Sequence, residues 1–199
     1  MDSLFFTNVK FIKSTTSIKD RPAKKLPEIA FIGRSNVGKS SLLNAICNRR
    51  SIAKTSSIPG KTQLINYFEV SELCYFVDLP GYGYSKIPKE LRGSWKDMIE
   101  GYLQYSDQIR LICLLIDSRH GLLENDMQMI DWLQFHQKPF TIILTKSDKI
   151  SKSKLLAQQK NFNKELPDNR VFAVSINSDK TITTLNQYLF TLVNKISIN

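Results

Sequence analysis

Eight consecutive residues, Gly33, Arg34, Ser35, Asn36, Val37, Gly38, Lys39 and Ser40, spell the phosphate-binding pattern G-x-x-x-x-G-K-[ST] without a mismatch. Each fixed position has a chemical task. The glycines let a tight turn bring backbone N–H groups against phosphate oxygens, Lys39 reaches the β- and γ-phosphates, and the Ser40 hydroxyl can ligate Mg²⁺. The run Ile29-Ala30-Phe31-Ile32 before the loop reads as a strand, and Ser41-Leu42-Leu43-Asn44-Ala45-Ile46 after it reads as a helix. That order points a helix N-terminus at the phosphates. A chance glycine-rich turn is a poor rival, because four positions are fixed and both flanks agree.

Other stretches complete a nucleotide site. Cys74-Tyr75-Phe76-Val77 leads into Asp78-Leu79-Pro80-Gly81, an apolar strand ending in D-x-x-G. After a phosphate loop, a carboxylate at Asp78 holds Mg²⁺, often through a water, and Gly81 offers its N–H to the γ-phosphate. Thr145, Lys146, Ser147 and Asp148 follow another apolar run and resemble the N-K-x-D element of GTPases, with Thr145 where many carry asparagine. An ionised Asp148 accepts two hydrogen bonds from guanine, at N1–H and the exocyclic amine. Adenine offers neither and leaves the carboxylate unpaired. The Lys146 stem can lie along the base. Taken alone, D-x-x-G is a weak pattern and T-K-S-D is an ordinary polar turn; their order after the loop gives them weight. The polar segment 55–63 lies between the first two motifs and fits a switch. Its Thr62 would add a hydroxyl to Mg²⁺ when the γ-phosphate is present, although neighbouring hydroxyls compete for that role.

These residues need strands to carry them. Strand-like runs at 28–32, 65–70, 74–78, 110–117, 140–145 and 171–175 alternate with helical patterns, several of the runs being continuously apolar as doubly covered strands are. Helical spacing recurs over 91–103, 123–133, 152–166 and 182–196. The reading is an α/β P-loop fold, doubly wound, with a mostly parallel six-stranded sheet and helices on both faces. Residues 1–25 read as an N-terminal extension, with a possible edge strand over 3–12 and a mobile basic connection over 13–25. Residues 26–199 read as the nucleotide-binding domain.

Composition narrows the rest. The 199 residues carry 28 basic and 18 acidic side chains, a net charge of +10. This suggests a polyanionic partner, nucleic acid first, though a merely basic soluble surface fits the charge equally well. The three cysteines, Cys47, Cys74 and Cys113, sit in apolar runs without C-x-x-C spacing, so reduced buried thiols are expected. His120 and His136 lie far apart, which gives zinc no support. The start of the chain lacks the order of a signal peptide and no apolar run reaches membrane-span length. A cytoplasmic monomer with no membrane partner is expected.

The wording of the motifs points closer. G-R-S-N-V-G-K-S-S-L-L-N-A, T-S-S-I-P-G-K-T-Q-L-I-N-Y-F, V-D-L-P-G-Y-G-Y and L-T-K-S-D-K, with Ile116-Asp117-Ser118-Arg119-His120, together resemble the EngB (YsxC/YihA) GTPases. That family belongs to the TrmE-Era-EngA-EngB-Septin-like class with a Ras-like G domain. The resemblance implies Mg²⁺-dependent binding of GTP and GDP, a role in assembling the large ribosomal subunit, ribosomal RNA or a subunit precursor as partner, and a need for the protein in normal division and septation. It implies phosphate contacts from residues 33–40 and a first switch at Gly60, Lys61, Thr62, Gln63 and Leu64. Ser40 and Thr62 would be metal ligands, residues 78–81 a γ-phosphate sensor and 145–148 the guanine reader. Val174, Ser175 and Ile176 stand at the last guanine-contacting loop, but the glycine-containing turn usual after it is absent.

Lys39, Thr62, Gly81 and Asn36 are the candidate catalytic residues. Tyr82 replaces the glutamine that orients water in Ras-like enzymes, which predicts slow intrinsic hydrolysis accelerated by a partner. Asn36 either supports a bound K⁺ in the role of an arginine finger or simply tolerates the loop's backbone geometry. A scaffold that binds RNA and uses GTP only structurally is the competing reading. An ATP-dependent kinase would leave Asp148 and D-L-P-G unexplained.

Overall fold

Strand β2 (Glu28–Gly33) is buried along its whole length and divides its side chains between two cores. Ile29 and Phe31 pack with Leu43, Phe76, Leu185 and Leu189 on one face of the sheet. Ala30 and Ile32 pack with Tyr102, Leu103, Leu133 and Ile142 on the other. A continuous apolar strand therefore means helices on both sides, as its unbroken hydrophobicity requires.

The computed structural model describes residues 5–6, 8–49, 52, 64–82 and 89–196, the side chains of 89–92, 94–96, 195 and 196 excepted. Its other strands are β1 (Val9–Thr15), β3 (Ile65–Val70), β4 (Cys74–Asp78), β5 (Ile109–Asp117), β6 (Phe140–Thr145) and β7 (Val171–Ala173). Its helices are α1 (Lys39–Ile46), α2 (Lys89–Tyr105), α3 (Glu124–Phe135), α4 (Lys152–Glu165) and α5 (Asp179–Ile196). The strand order is β1-β3-β4-β2-β5-β6-β7. Pairs β1–β3 and β3–β4 are antiparallel; β4–β2, β2–β5, β5–β6 and β6–β7 are parallel.

The sheet has seven strands rather than the expected six. The additional one is the N-terminal edge strand, which starts and ends later than 3–12 and has a register shift between Phe11 and Lys13. Thr15 is buried at its end, and Phe11 stacks edge-on with Phe68 at 5.7 Å. The basic stretch after it, read from sequence as a mobile connection, is tied down. Ser17 caps a short 3-10 turn, Arg21 pairs with Asp107 at 2.6 Å and Lys24 with Glu69 at 3.3 Å. Two of its charges meet acids far away in the chain, which polarity alone does not reveal.

A buried carboxylate secures the end of the sheet away from the motifs. Glu28 accepts hydrogen bonds from Tyr102 Oη at 2.8 Å and Ser106 Oγ at 2.7 Å, anchoring the last turn of α2. Burial pushes its carboxyl above the usual range, although the Ser106 and Tyr102 hydroxyls pull the other way. The three cysteines are buried and free, and burial pushes the Cys47 and Cys74 thiols up to about 12.

Candidate nucleotide-binding site

The motifs converge at the carboxyl ends of the parallel strands. Gly33 ends β2, Asp78 ends β4, Asp117 ends β5, Thr145 ends β6, and Val174 follows β7. This is the ligand-binding edge of an open α/β sheet.

At the phosphate end, Gly38 is the N-cap of α1 with φ 104°, a left-handed conformation that disfavours other residues, and it makes no side-chain cap. The first-turn amides of α1 are therefore left to an anion. Lys39 opens that turn and Ser40 follows it. The Lys39 ammonium contacts the Asp78 carboxylate, and the two residues are only 8% and 2% exposed. The contact brings a cation for phosphate oxygens and a carboxylate for a hydrated divalent ion to one place. The donor chemistry fits Mg²⁺, which takes one or two protein oxygens and otherwise keeps water and phosphate ligands. Among the described residues no cluster of three or more His, Cys, Asp or Glu is present, so a metal held by protein side chains alone has no cage there.

Gly81 sits directly on the phosphate loop. A Cβ there would lie 2.9 Å from Gly33 O and 3.1 Å from Ser35 N, so the close approach requires glycine. Leu79 and Pro80 bridge Asp78 to it as buried residues, and Leu79 N–H donates to Phe31 O at 3.0 Å. Tyr82 N–H donates to Gly33 O at 3.2 Å. The Tyr82 side chain turns to α3, where its hydroxyl donates to Asp126 Oδ1 at 2.7 Å.

At the base end lies a cavity of about 210 Å³, lined among others by Gly38, Leu42, Lys146, Asp148, Val174, Ile176 and Asn177. Lys146 has φ 55°, and its Nζ donates to Asn36 O at 2.7 Å and Asp117 Oδ2 at 2.8 Å. Lys146 is thereby held in the lining of the cavity. Burial would raise the Asp117 carboxyl, but Arg119 and Lys146 together hold it well below the usual range. The exposed Asp148 carboxylate is held below its usual range chiefly by the Ser175 hydroxyl, then by Lys149 and Asn177. Asn177 Nδ2 lies 3.3 Å from Asp148 Oδ2. Ser147 N–H donates to Val174 O at 3.2 Å, joining the two base-side loops.

Thr145 replaces asparagine without loosening the site. Its hydroxyl reaches Val37 O in the phosphate loop at 2.7 Å and Ile116 O at 3.3 Å. The missing glycine after Ile176 has a similar explanation. No residue from 174 to 181 has a positive φ. Side-chain hydroxyls shape the turn instead: Thr181 Oγ1 accepts from Ser175 N–H at 3.1 Å, and Ser175 Oγ accepts from Asn177 N–H at 3.1 Å. Asn36 has φ 63°, a left-handed conformation that asparagine tolerates better than most residues. Gly60, Lys61, Thr62 and Gln63 lie outside the described residues; Leu64 is described, exposed, just before β3. Asn177 and Asp126 escaped the sequence reading, since neither belongs to a spaced motif and each is recognised only by its partner.

The family model described as "50S ribosome-binding GTPase" matches residues 28–146. The probable GTP-binding protein EngB of Prosthecochloris aestuarii is 54% identical over 140 residues, covering 70% of this chain and 73% of the relative. That of Desulforamulus reducens is 42% identical over 194 residues, 96% of this chain and 95% of the relative. The chain belongs to the EngB family of GTP-binding proteins. As an EngB-family protein it is a GTPase. Its fold is shared with a crystal structure of a probable GTP-binding protein engB, at TM-score 0.69 and 22% identity over 84% of this chain and 99% of that one. It is shared also with Aquifex aeolicus Era bound to GDP and aluminium fluoride, at TM-score 0.64 and 23% identity over 83% of this chain and 57% of Era.

Proposed function

We propose that this EngB-family chain is a Mg²⁺-dependent GTP switch that acts in assembly of the large ribosomal subunit and is needed for normal division and septation. The observation that carries the switch is the packing of Gly81 against the phosphate loop beside the Lys39–Asp78 pair. There a γ-phosphate would draw on Lys39 and the Gly81 N–H, while Ser40 and Thr62 would hold Mg²⁺. That ion would supply charge neutralisation to the phosphates. Residues 33–40 cradle the phosphates, and Asp148 with Lys146 and the 174–176 loop selects guanine. Tyr82, tethered to Asp126, is not placed to orient water, which supports slow intrinsic hydrolysis stimulated by a partner. Bound K⁺ near Asn36 is a further part of this reading.

The partner side rests on charge. The net charge is +10, and α4 presents Lys152, Lys160 and Lys164 on exposed positions four residues apart or multiples of four. At 1.5 Å per residue this spacing sets cations about 6 Å or its multiple apart along the helix, a ladder suited to a phosphate backbone. An Era relative of the same fold has been crystallised with nucleotides of 16S ribosomal RNA. No described helix is long and apolar enough to cross a membrane, and a cytoplasmic monomer fits this role.

Co-sedimentation with large subunits and their precursors in GTP, GDP and a non-hydrolysable analogue tests the proposal. The switch reading expects binding that depends on the nucleotide and turnover that rises on the precursor. Nucleotide-independent binding without turnover would favour the scaffold reading instead.

A further inference from the structure

Tyr82 is held from two sides. Its backbone N–H is bonded to Gly33 O at 3.2 Å, and Arg34 and Tyr82 form an isolated parallel bridge. Its hydroxyl reaches across to Asp126 Oδ1 on the first turn of α3. Asp126 is almost fully buried and uses its two oxygens differently. Oδ2 accepts Leu123 N–H at 3.1 Å and so caps α3, while Oδ1 serves Tyr82 alone among the hydrogen bonds described. Capping the helix needs only the first of these. Burial, the Asp126 charge and the hydrogen bond push the Tyr82 phenol far above its ordinary range, so it remains a donor at working pH.

The residue directly after the D-x-x-G glycine is thus clamped between the phosphate loop and α3. Gly81 has no side chain of its own to hold it in place. Its position against Gly33 and Ser35 depends on its neighbours, and Tyr82 is the neighbour with anchors on both sides.

We propose that Asp126 is a positioning residue for the GTP-dependent step: through the Tyr82 hydroxyl it holds Gly81 against the phosphate loop and thereby raises the affinity for GTP relative to that for GDP. The reasoning follows from differential binding. Only the triphosphate uses the Gly81 N–H, so a loosened Gly81 weakens GTP and leaves GDP untouched. The inference rests on the reading of Gly81 as γ-phosphate sensor.

The test uses the full chain with Tyr82→Phe, which keeps the ring and removes only the hydroxyl, and with Asp126→Ala, which removes the acceptor. Affinities for GDP and for a non-hydrolysable GTP analogue are measured by fluorescence titration. Hydrogen exchange of the peptide spanning Gly81 and Tyr82 is followed in both nucleotide states. In both variants the analogue affinity falls about five- to tenfold, the effect of one lost hydrogen bond, while GDP affinity is unchanged. Equal losses for both nucleotides would mark a merely structural contact, and no change in either would leave the tether without a role; both results overturn the proposal. If wild-type protection at Gly81 and Tyr82 is the same in the two states, γ-phosphate sensing by Gly81 fails and takes the proposal with it. If the wild type distinguishes the states and the variants keep its affinity ratio, only the Asp126 role fails.

Discussion

The Thr145 hydroxyl donates to Val37 O at 2.7 Å, fastening the end of β6 with its T-K-S-D motif to the G-x-x-x-x-G-K-[ST] loop. The two residues are 108 positions apart in the chain. With Lys146 Nζ on Asn36 O at 2.7 Å, this bond ties the two halves of the candidate site together. Thr145→Val keeps the shape and removes the donor inside a buried environment. The expected outcome is a loss of about 1 kcal/mol in stability, with a similar weakening of GDP and GTP binding. Thermal melts and nucleotide titrations check both parts, and unchanged affinity would show that the spacing is set elsewhere.

Asp148 is the residue we propose as the centre of base selection. Asp148→Asn replaces two acceptors by one acceptor and one donor, which mismatches the guanine 2-amino group. GTP affinity should fall about a hundredfold, whereas xanthosine triphosphate, with a carbonyl at that position, should gain. Competition titrations with the two nucleotides decide it.

Two carboxylates give opposite pH signatures. The Glu28 carboxyl is raised in the fold, chiefly by burial. Its contribution is fully present below the unfolded range of about 4.3 and is lost as pH rises through the folded value. Glu28→Gln keeps an acceptor and removes the charge, so wild type should gain on this variant as pH falls from 7 toward 4. Asp117 is lowered, with Arg119 and Lys146 outweighing burial. Its contribution is present above about 3.9 and is lost as pH falls through the folded value. The deficit of Asp117→Asn should therefore hold steady near neutrality and shrink only in strong acid. Melting temperatures across pH for the three proteins test both signs.

The α4 lysines should act through salt. Replacing Lys152, Lys160 and Lys164 by alanine is expected to weaken RNA binding and to flatten its dependence on log salt by roughly 0.7–0.9 per lysine. GDP affinity should not move. A slope that ignores these substitutions would place the RNA contact on another face.

Asn36 gives a direct choice. If K⁺ stimulates hydrolysis through it, rates in KCl exceed those in NaCl and Asn36→Gly abolishes the difference. If the residue serves only its φ of 63°, glycine keeps the activity and the two salts give equal rates.

Much of the site was legible because its motifs are local. A phosphate loop needs a strand, two glycines, a lysine and a hydroxyl within a few residues, and residues 33–40 carry all of them. The parallel core was legible because doubly covered strands are continuously apolar. The N-terminal edge strand was read too early, since a half-exposed strand such as β1 has a weaker pattern and a register shift interrupts it. The loop after β7 looked incomplete for want of glycine, yet hydroxyls of Ser175 and Thr181 build it without a positive φ.

By itself the sequence determined the family and the patterns from which the guanine-nucleotide site is proposed: a G-x-x-x-x-G-K-[ST] loop ahead of a helix, D-x-x-G after a strand, and T-K-S-D. These depend on residue types at short, fixed spacings, which the chain displays directly. Only the tertiary structure decided how the parts hold one another. Thr145 on Val37, Tyr82 on Asp126 and Asn177 on Asp148 join residues 108, 44 and 29 positions apart. A hydrogen bond acts over about 3 Å, and no local pattern records which distant side chain folding will bring within that reach.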